Sequence, residues 1–172
     1  MLRIDLTHAE TEPLEFEERP VVPPAAGGVD VVSVAPVEIS GRVERAGKGY
    51  LLEGEVGGSA RLRCARCLGE FDFSFSERLD LHLLPLTAAP QDDETRLDRG
   101  DLEVRFYEES QVDLVELAAE QLALAVPMKP LCAESCRGIC PRCGANLNQG
   151  ACSCPPETDD RLAALQDWRP SE

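Results

Sequence analysis

Eight cysteines, arranged in two groups, are the side chains of this sequence that could do chemistry together. The first group is the pair Cys64-Ala-Arg-Cys67, and the second places six cysteines between residues 132 and 154. Structural zinc sites use four ligands, and a Cys-x2-Cys turn brings two sulfurs onto one ion at about 2.3 Å. The sequence therefore predicts two four-sulfur zinc sites. Their predicted ligands are Cys64, Cys67, Cys132, Cys136, Cys140, Cys143, Cys152 and Cys154.

Four disulfide bonds are the competing interpretation of the same eight thiols. Disulfides persist in oxidising compartments, whereas cytosolic thiols stay reduced. Residues 1–8 read Met-Leu-Arg-Ile-Asp-Leu-Thr-His and lack the charged-then-apolar pattern of a secretory signal. No apolar run approaches the roughly 20 residues that span a membrane, so no membrane association is expected. We therefore expect a cytoplasmic protein whose cysteines bind metal.

The grouping of the eight thiols is open at the level of sequence. Cys140-Pro-Arg-Cys143-Gly144 has the form of a zinc knuckle, because the glycine permits a tight turn with N–H groups aimed at the sulfurs. A nearby pair of cysteines can complete that site. The preferred grouping is then Cys140, Cys143, Cys152 and Cys154 on one ion and Cys64, Cys67, Cys132 and Cys136 on the other. The main rival places Cys132, Cys136, Cys140 and Cys143 together.

Catalysis is poorly supported by these residue types. The spacing Cys136-x3-Cys140-x2-Cys143 matches radical-SAM iron–sulfur enzymes, but those need a much larger barrel and a glycine-rich strand that does not follow here. Thioredoxin-like chemistry needs its cysteine pair at a helix N-terminus, whereas the first pair is predicted to join two strands. The two histidines, His8 and His82, lie far apart in the sequence. Four thiolates per ion leave no open coordination position, so we predict a non-enzymatic protein with no small-molecule substrate.

The charge distribution points to macromolecular partners. The formal net charge of the 172 residues is −15, which disfavours non-specific binding to nucleic acid. Acids concentrate in residues 1–20 and 90–109, whereas the cysteine neighbourhoods are cationic. These cations either balance the zinc thiolates or contact RNA or a partner protein. The six cations are Arg61, Arg63, Arg66, Lys129, Arg137 and Arg142.

The hydrophobic pattern predicts an antiparallel sheet. Residues 37–43 and 50–56 alternate apolar and polar side chains on either side of a glycine turn, which predicts a hairpin. A second turn is expected at Gly57-Gly58. Between residues 71 and 83 apolar side chains, three of them phenylalanines, recur with a period of two. That period predicts a long strand with its aromatic side chains in the core, so the first cysteine pair lies in a turn between strands.

Other segments are expected to connect or cover this sheet. Residues 9–30 predict a connector, residues 85–101 a polar loop and residues 104–107 a short strand. Residues 113–125 predict an amphipathic helix that packs on the sheet. The predicted fold class is α+β, a β-rich antiparallel sheet or open barrel with one packed helix and a small zinc-binding module. The predicted divisions are a β-rich body at 1–126, a cysteine-rich zinc module at 127–155 and a terminal helix at 156–172.

Several longer strings of residues add to the cysteine spacing. They are Cys64-Ala-Arg-Cys67-Leu68 before an aromatic strand, Asp113-Leu114 at the start of a helix, Leu124-Ala-Val-Pro-Met-Lys-Pro-Leu-Cys132, Cys136-Arg-Gly-Ile-Cys-Pro-Arg-Cys-Gly-Ala-Asn-Leu-Asn148, Cys152-Ser-Cys154 and Asp160-Arg-Leu-Ala-Ala-Leu165. In this order they resemble the bacterial YceD family, the large ribosomal RNA subunit accumulation proteins. The resemblance extends from about residue 30 to residue 168.

The resemblance implies a role in producing or stabilising large-subunit ribosomal RNA during subunit assembly, and it implies no catalysis. Two mechanisms are open. In the first, the cationic residues contact precursor RNA while the acidic remainder suppresses non-specific binding. In the second, acidic surfaces, with residues 90–109 as the first candidate, hold a basic ribosomal protein. A zinc-stabilised protein–protein adaptor outside ribosome assembly is the remaining alternative.

Overall fold

The computed structural model describes residues 2–90 and 103–155 of the chain, which form eight strands and one α-helix. The elements are β1 (Arg3–Asp5), β2 (Leu14–Glu18), β3 (Val31–Val34), β4 (Glu38–Ala46), β5 (Gly49–Arg63), β6 (Glu70–Pro85), β7 (Val104–Tyr107), β8 (Gln111–Asp113) and α1 (Leu114–Ala125). Short 3-10 helices span Leu6–Ala9, Pro24–Gly27 and Leu86–Ala88. The predicted terminal helix and residues 91–101 of the predicted loop lie outside the described residues.

The two longest strands, β5 and β6, form an antiparallel hairpin that carries the main sheet. Their pairing runs from Tyr50 opposite Leu83 to Arg63 opposite Glu70. On the other side of β5, β4 pairs with its first part and β3 with its last part, and β2 pairs with β4. The connection between β5 and β6, residues 64–69, therefore forms the tip of a long ribbon, and this tip holds the first cysteine pair.

The turn predicted at Gly57-Gly58 is wrong, since β5 continues through both residues. Gly57 pairs with Glu38 on one side and with Ser76 on the other. A Cβ atom at Gly58 would lie 3.3 Å from the ring of Phe75. Strand pairing, which is on both sides of β5 at Gly57, outweighs the weak strand propensity of glycine, and the missing side chain of Gly58 allows the close approach of that ring.

The connector predicted at residues 9–30 is also wrong in part, because it contains β2. This strand pairs antiparallel with β4, with Leu14 opposite Val43 and Phe16 opposite Gly41. Leu14 and Phe16 pack against the core, while the glutamates between and after them are exposed. Alternating charge of this kind protects an edge strand from pairing with another chain. It also makes the segment look like a loop when only its composition is considered.

One strand pair departs from the antiparallel pattern. The predicted strand at residues 104–107 is confirmed as β7, but it runs parallel to β6, with His82 opposite Val104. Strand β8 then pairs with β1 in a separate two-stranded sheet. The described residues thus form open, mostly antiparallel sheets with a single helix, which confirms the predicted α+β class.

Helix α1 covers the core beside β6 and the 3-10 helix Pro24–Gly27. It begins after Asp113, whose carboxylate accepts hydrogen bonds from the N–H groups of Val115 at 2.9 Å and Glu116 at 3.2 Å. This arrangement satisfies two of the N–H groups that a helix start leaves free. The buried face consists of Leu114, Leu117, Ala118 and Leu122. Among the described residues, no helix has the length and apolar character needed to cross a membrane.

Candidate metal centre

The sulfur atoms of the eight cysteines form two clusters. The inner site consists of Cys64, Cys67, Cys132 and Cys136, and the outer site consists of Cys140, Cys143, Cys152 and Cys154. Within each site, all four Sγ atoms lie within 4.8 Å of one another. This is the grouping preferred from the sequence, and it differs from the rival grouping that combined the four cysteines between residues 132 and 143.

The spacing of the inner sulfurs fits a tetrahedral metal ion. Cys64 Sγ lies 3.8 Å from Cys136 Sγ, and Cys67 Sγ lies 3.7 Å from Cys132 Sγ. Four sulfurs placed about 2.3 Å from a zinc ion are about 3.8 Å apart. The eight thiols are free, and these separations exceed the length of a disulfide bond, about 2.05 Å. Each site therefore offers a donor set that could hold one metal ion.

Each site is built on a knuckle, the turn formed by a Cys-x2-Cys pair. In the inner knuckle the N–H of Leu68 donates to the carbonyl of Cys64, and in the outer knuckle the N–H of Gly144 donates to that of Cys140, both at 2.9 Å. The residue after the second cysteine has a positive φ in both, 59° at Leu68 and 72° at Gly144. The two knuckles thus share one backbone form, although the outer one has the glycine that this conformation favours.

Hydrogen bonds shift the pKa values of the inner thiols in opposite directions. Burial alone would raise the pKa of the Cys64 thiol. Backbone N–H donors outweigh that effect and lower its pKa to about 6, and they come from Cys132, Cys67 and Arg66. The Cys132 thiol instead donates to the sulfurs of Cys136 and Cys67, which raises its pKa to about 12. Four thiolates could not form together at neutral pH without a nearby cation.

The outer site has the same division of roles. The N–H groups of Cys143 and Arg142, together with the thiol of Cys152, lower the pKa of Cys140 to about 6. The thiol of Cys154 shares its proton first with Cys143, and its pKa is raised to about 12. In both clusters, N–H donors thus favour ionisation of a ligand thiol, which metal binding requires.

Direct hydrogen bonds also join the segment after α1 to the hairpin tip. The N–H of Ala65 donates to the carbonyl of Pro130 at 2.8 Å, and the N–H of Ile139 donates to the carbonyl of Arg66 at 3.1 Å. The guanidinium of Arg66 donates to the carbonyl of Cys136 at 2.8 Å. Arg66, predicted as a contact residue, thus also holds the inner site together.

The six cations predicted to contact RNA or a partner are all exposed. Arg61 lies 3.8 Å from the carboxylate of Glu70 and 3.7 Å from that of Asp72, so its charge is partly balanced. None of the other five forms an ion pair with any residue in the described ranges, 2–90 and 103–155. Arg66 donates to backbone carbonyls instead, whereas the side chains of the other four donate no hydrogen bond within those ranges. These four are Arg63, Lys129, Arg137 and Arg142. Their positive charge is available to an outside partner unless the rest of the chain supplies a carboxylate.

Asn148 is a site residue that the sequence interpretation missed, because Asn146 and Asn148 suit an ordinary turn. Asn146 does act in that way, since its Oδ1 accepts from the N–H of Asn148 at 2.9 Å. The Nδ2 of Asn148, however, donates to Cys136 Sγ at 3.3 Å. That bond lowers the pKa of Cys136. The signal available in the sequence was a side-chain amide between two pairs of ligand cysteines, where donors to sulfur are needed.

The longest hairpin of a mostly antiparallel sheet ends in one four-cysteine cluster, and a second such cluster lies in the segment after α1. These features define a β-rich protein with candidate structural metal sites. Residues 52–168 match the family described as "Large ribosomal RNA subunit accumulation protein YceD". That span contains all eight cysteines. This chain belongs to that family.

Curated relatives include bacterial and plant proteins. An uncharacterized protein of Mycobacterium tuberculosis is 28% identical over 145 residues, which cover 83% of this chain and 68% of that protein. An uncharacterized protein of Mycobacterium leprae is 25% identical over 124 residues, covering 70% of this chain and 54% of that protein. "Large ribosomal RNA subunit accumulation protein YCED homolog 1, chloroplastic" of Arabidopsis thaliana is 29% identical over 154 residues, covering 73% of this chain and 46% of that protein. No solved structure matches the chain.

Proposed function

We propose that this protein is a non-enzymatic factor that supports accumulation of large-subunit ribosomal RNA and assembly of that subunit, acting on a zinc-stabilised scaffold in the cytoplasm. The observation that carries the proposal is the family match, which spans both cysteine clusters. Membership indicates the pathway, and the clusters indicate what stabilises the surface that acts in it.

Zinc is the metal that this donor set favours. Four thiolates in tetrahedral geometry are typical of structural zinc or of iron–sulfur sites, and hard ions such as Mg²⁺ prefer oxygen. Purified protein should therefore contain two zinc ions per chain and be colourless. Metal analysis together with native mass spectrometry measures both the identity and the number. A coloured protein containing iron and sulfide would contradict the assignment.

Precursor RNA is the proposed ligand of the cationic surface, which we define as Arg63, Lys129, Arg137 and Arg142. These exposed cations lie close in sequence to the cysteine ligands, and all belong to segments that the inner and outer sites hold in place. Phosphate contacts dominate the affinity of proteins for RNA, so the strongly acidic remainder of the chain restricts binding to this surface. Arg61, which is partly balanced by Glu70 and Asp72, is a weaker candidate at its edge.

Charge reversal tests this surface. Arg61→Glu combined with Arg63→Glu should weaken binding to large-subunit precursor RNA in a salt-dependent manner and leave the zinc content at two. Lys48→Glu combined with Arg45→Glu changes the net charge equally and is the matched control. Both control residues are exposed and form no ion pair within the described residues, and Lys48 lies at the other end of β5 from the hairpin tip. Equal RNA binding by the two double variants would contradict the proposal.

The same variants can be followed in cells. Tagged protein should sediment with large-subunit precursors through a gradient at moderate salt, and the Arg61→Glu, Arg63→Glu variant should move toward the top. The control variant should sediment as the wild type does. Wild-type protein that sediments only with free proteins, at low and at high salt, would indicate an adaptor outside ribosome assembly.

A basic ribosomal protein is the second candidate partner, and a groove rich in glutamates on the main sheet favours it. This open groove, around the closely packed Gly41 and Gly54, is lined by four glutamates of β2 and β5, which outnumber the two arginines of the lining, Arg42 and Arg78. Neutralising Glu53→Gln and Glu55→Gln should then release co-purifying ribosomal proteins at low salt, whereas RNA binding should persist. The predicted contact at residues 90–109 is tested in the same assay by deleting residues 91–101. Unchanged protein partners in both variants would exclude this mode.

A further inference from the structure

The inner and outer sites share one short stretch of backbone. Residues 137–139 lie between the last inner ligand and the first outer ligand. The N–H of Ile139 donates to the carbonyl of Arg66 in the inner knuckle at 3.1 Å. The carbonyl of Gly138 accepts from the N–H of Leu147, in the loop that follows the outer knuckle, at 2.9 Å. A displacement of this stretch would therefore disturb both sites.

Asn148 makes a more direct connection. In sequence it lies between the outer ligands Cys143 and Cys152, yet its side chain contacts the inner site. Its Oδ1 accepts from the N–H of Arg137 at 2.7 Å, and its Nδ2 donates to Cys136 Sγ at 3.3 Å. The first bond fixes which end of the amide faces the sulfur, because a backbone N–H can only donate. The amide is thus oriented as a donor to an inner ligand.

The loop that carries Asn148, residues 144–151, is closed at both ends by outer ligands. An ion bound there fixes the ends of the loop, which removes most of the conformational freedom that opposes the Asn148 contact. Without that ion, only a few local hydrogen bonds hold the loop against the inner site. Donors to ligating sulfurs orient them and strengthen metal binding, and their loss typically costs about ten- to a hundredfold in affinity.

We propose that Asn148 couples the two metal sites, so that an ion in the outer site strengthens binding of an ion in the inner site through the amide contact to Cys136. By thermodynamic linkage, an ion in the inner site strengthens binding in the outer site by the same factor. The proposal rests on the metal-binding role proposed above for the two clusters. It makes Asn148 a positioning residue that connects the sites without itself contacting an ion.

Titration of the full-length, reduced, metal-free protein with Co²⁺ tests the coupling. Tetrahedral thiolate coordination of Co²⁺ gives visible absorption that reports filling of each site, and competition with a chelator then converts filling into affinity. Asn148→Ala should weaken the inner site about tenfold and separate one joint binding step into two. Gln149→Ala changes an exposed neighbour that forms no side-chain hydrogen bond within the described residues, and it should behave as the wild type.

A double-mutant cycle identifies the route. Removing the outer site with Cys152→Ser and Cys154→Ser should also weaken the inner site about tenfold, and adding Asn148→Ala to that protein should cause little further loss. Fully additive losses, or an Asn148→Ala protein with the wild-type inner affinity, would overturn the proposal. Asn148→Ala keeps the ligands of both sites, and by linkage it should weaken the outer site by the same factor as the inner site. A weakened inner site beside an unchanged outer site would overturn the coupling even if the variant lacking the outer ligands fails to fold.

The outcomes also separate this inference from the function on which it rests. A wild-type protein that binds no Co²⁺ or Zn²⁺ at either cluster would overturn the proposed metal scaffold itself. Two ions that bind independently, each with normal spectra, would leave the scaffold intact and overturn only the coupling. RNA binding is not used as a readout in this titration, so a failure of the RNA proposal would not affect it.

Discussion

The inner and outer sites use the same four-sulfur donor set but join very different lengths of chain. Ligand pairs of the inner site are 72 and 65 residues apart in sequence, whereas the outer ligands all lie between residues 140 and 154. A cross-link that closes a longer loop removes more entropy from the unfolded chain. The inner ion should therefore stabilise the tertiary fold, and the outer ion should mainly shape its own loop.

The two sites also differ in burial, and the inner site is the more buried of the two. Two inner ligands, Cys64 and Cys136, are buried, and the guanidinium of Arg66 closes over the backbone beside them. In the outer site only Cys140 is buried, whereas each site has one exposed ligand, Cys132 in the inner site and Cys143 in the outer site. A ligand set that water and chelators reach easily exchanges its ion more readily. If the two clusters hold metal as proposed, we expect a structural ion in the inner site and a more exchangeable ion in the outer site.

The largest difference is expected when one ligand is removed from each site in turn. Cys64→Ser should reduce zinc from two ions to one and lower the Tm by on the order of 10 °C, because losing a structural zinc that joins distant segments costs several kcal/mol. Cys152→Ser should also leave one ion but lower the Tm by less than half as much. Native mass spectrometry and thermal unfolding at saturating zinc measure both effects. Equal losses of Tm would show that loop length does not distinguish the sites.

Two glycines with positive φ give the next largest difference. Gly138 has a φ of 77°, and a Cβ atom there would lie 2.9 Å from the carbonyl oxygen of Arg66. Gly144 has a φ of 72°, but a Cβ atom there would meet nothing within 4 Å. Gly138→Ala should therefore cost about 2–4 kcal/mol from strain and steric overlap, and Gly144→Ala about 1 kcal/mol from strain alone.

Chemical unfolding of the zinc-loaded variants measures these costs. Gly138→Ala should also weaken the inner site, because the overlap separates the hairpin tip from the segment that carries Cys136. Gly144→Ala should affect the outer site only. If the two substitutions are equally costly, the contact between Gly138 and Arg66 is not what holds the segment in place.

A smaller effect, confined to the body, is expected at Asp113. Asp113→Ala removes the N-cap of α1 and should lower the free energy of unfolding by about 1 kcal/mol, with both ions retained. Burial alone would raise the pKa of Asp113. Hydrogen bonds from the N–H groups of Glu116 and Val115, with the guanidinium of Arg3, outweigh burial and lower that pKa. None of these groups belongs to either cysteine site, so we expect the substitution to leave metal binding unchanged.

The pH dependence of this contribution follows from the direction of the shift. Because the pKa of Asp113 is lower in the folded protein, its stabilising effect is complete above the unfolded value of about 3.9 and is lost as the pH falls through the folded value. The stability difference between wild type and Asp113→Ala should therefore be full at pH 7 and shrink below pH 4. Urea unfolding of both proteins at pH 7 and below pH 4 measures this stability difference. A difference that stays constant in acid would exclude the charged cap as its cause.

The sequence predicts the local features of the two sites but not the tertiary contacts between them. The ligand identities, the hairpin and the helix follow from local spacing, because sulfur chemistry and side-chain periodicity are properties of short segments. Sequence alone does not decide between the preferred and the rival grouping, since the grouping depends on which distant segments meet. The contact of Arg66 with the carbonyl of Cys136, and the amide of Asn148 on the sulfur of Cys136, depend on tertiary placement and could not be derived.

The same limit explains the misassigned strands. Strand β2 owes its existence to pairing with β4, while its glutamates give the segment the composition of a loop. The sequence predicts strand β7 in an antiparallel sheet, but its parallel direction is set by its pairing with the last residues of β6. Gly57 and Gly58 have the composition of a turn but are held in β5, Gly57 by partners on both sides and Gly58 by its pairing with Phe75. In each case long-range pairing outweighs a weak local preference.

The smallest effect we expect concerns the one residue at which the two knuckles differ most. Leu68 adopts a φ of 59° with 57% of its surface exposed, where the outer knuckle has Gly144. Leu68→Gly relieves about 1–2 kcal/mol of backbone strain and loses about 0.5–1 kcal/mol through the greater freedom of glycine in the unfolded chain. The net result should be a gain of about 0.5–1 kcal/mol with unchanged zinc content, measured by chemical unfolding. Gly144→Leu is the reciprocal change and should destabilise the outer knuckle. If Leu68→Gly instead destabilises the protein, the exposed leucine makes a contact that offsets its strain, and the inner knuckle is more than a metal-binding turn.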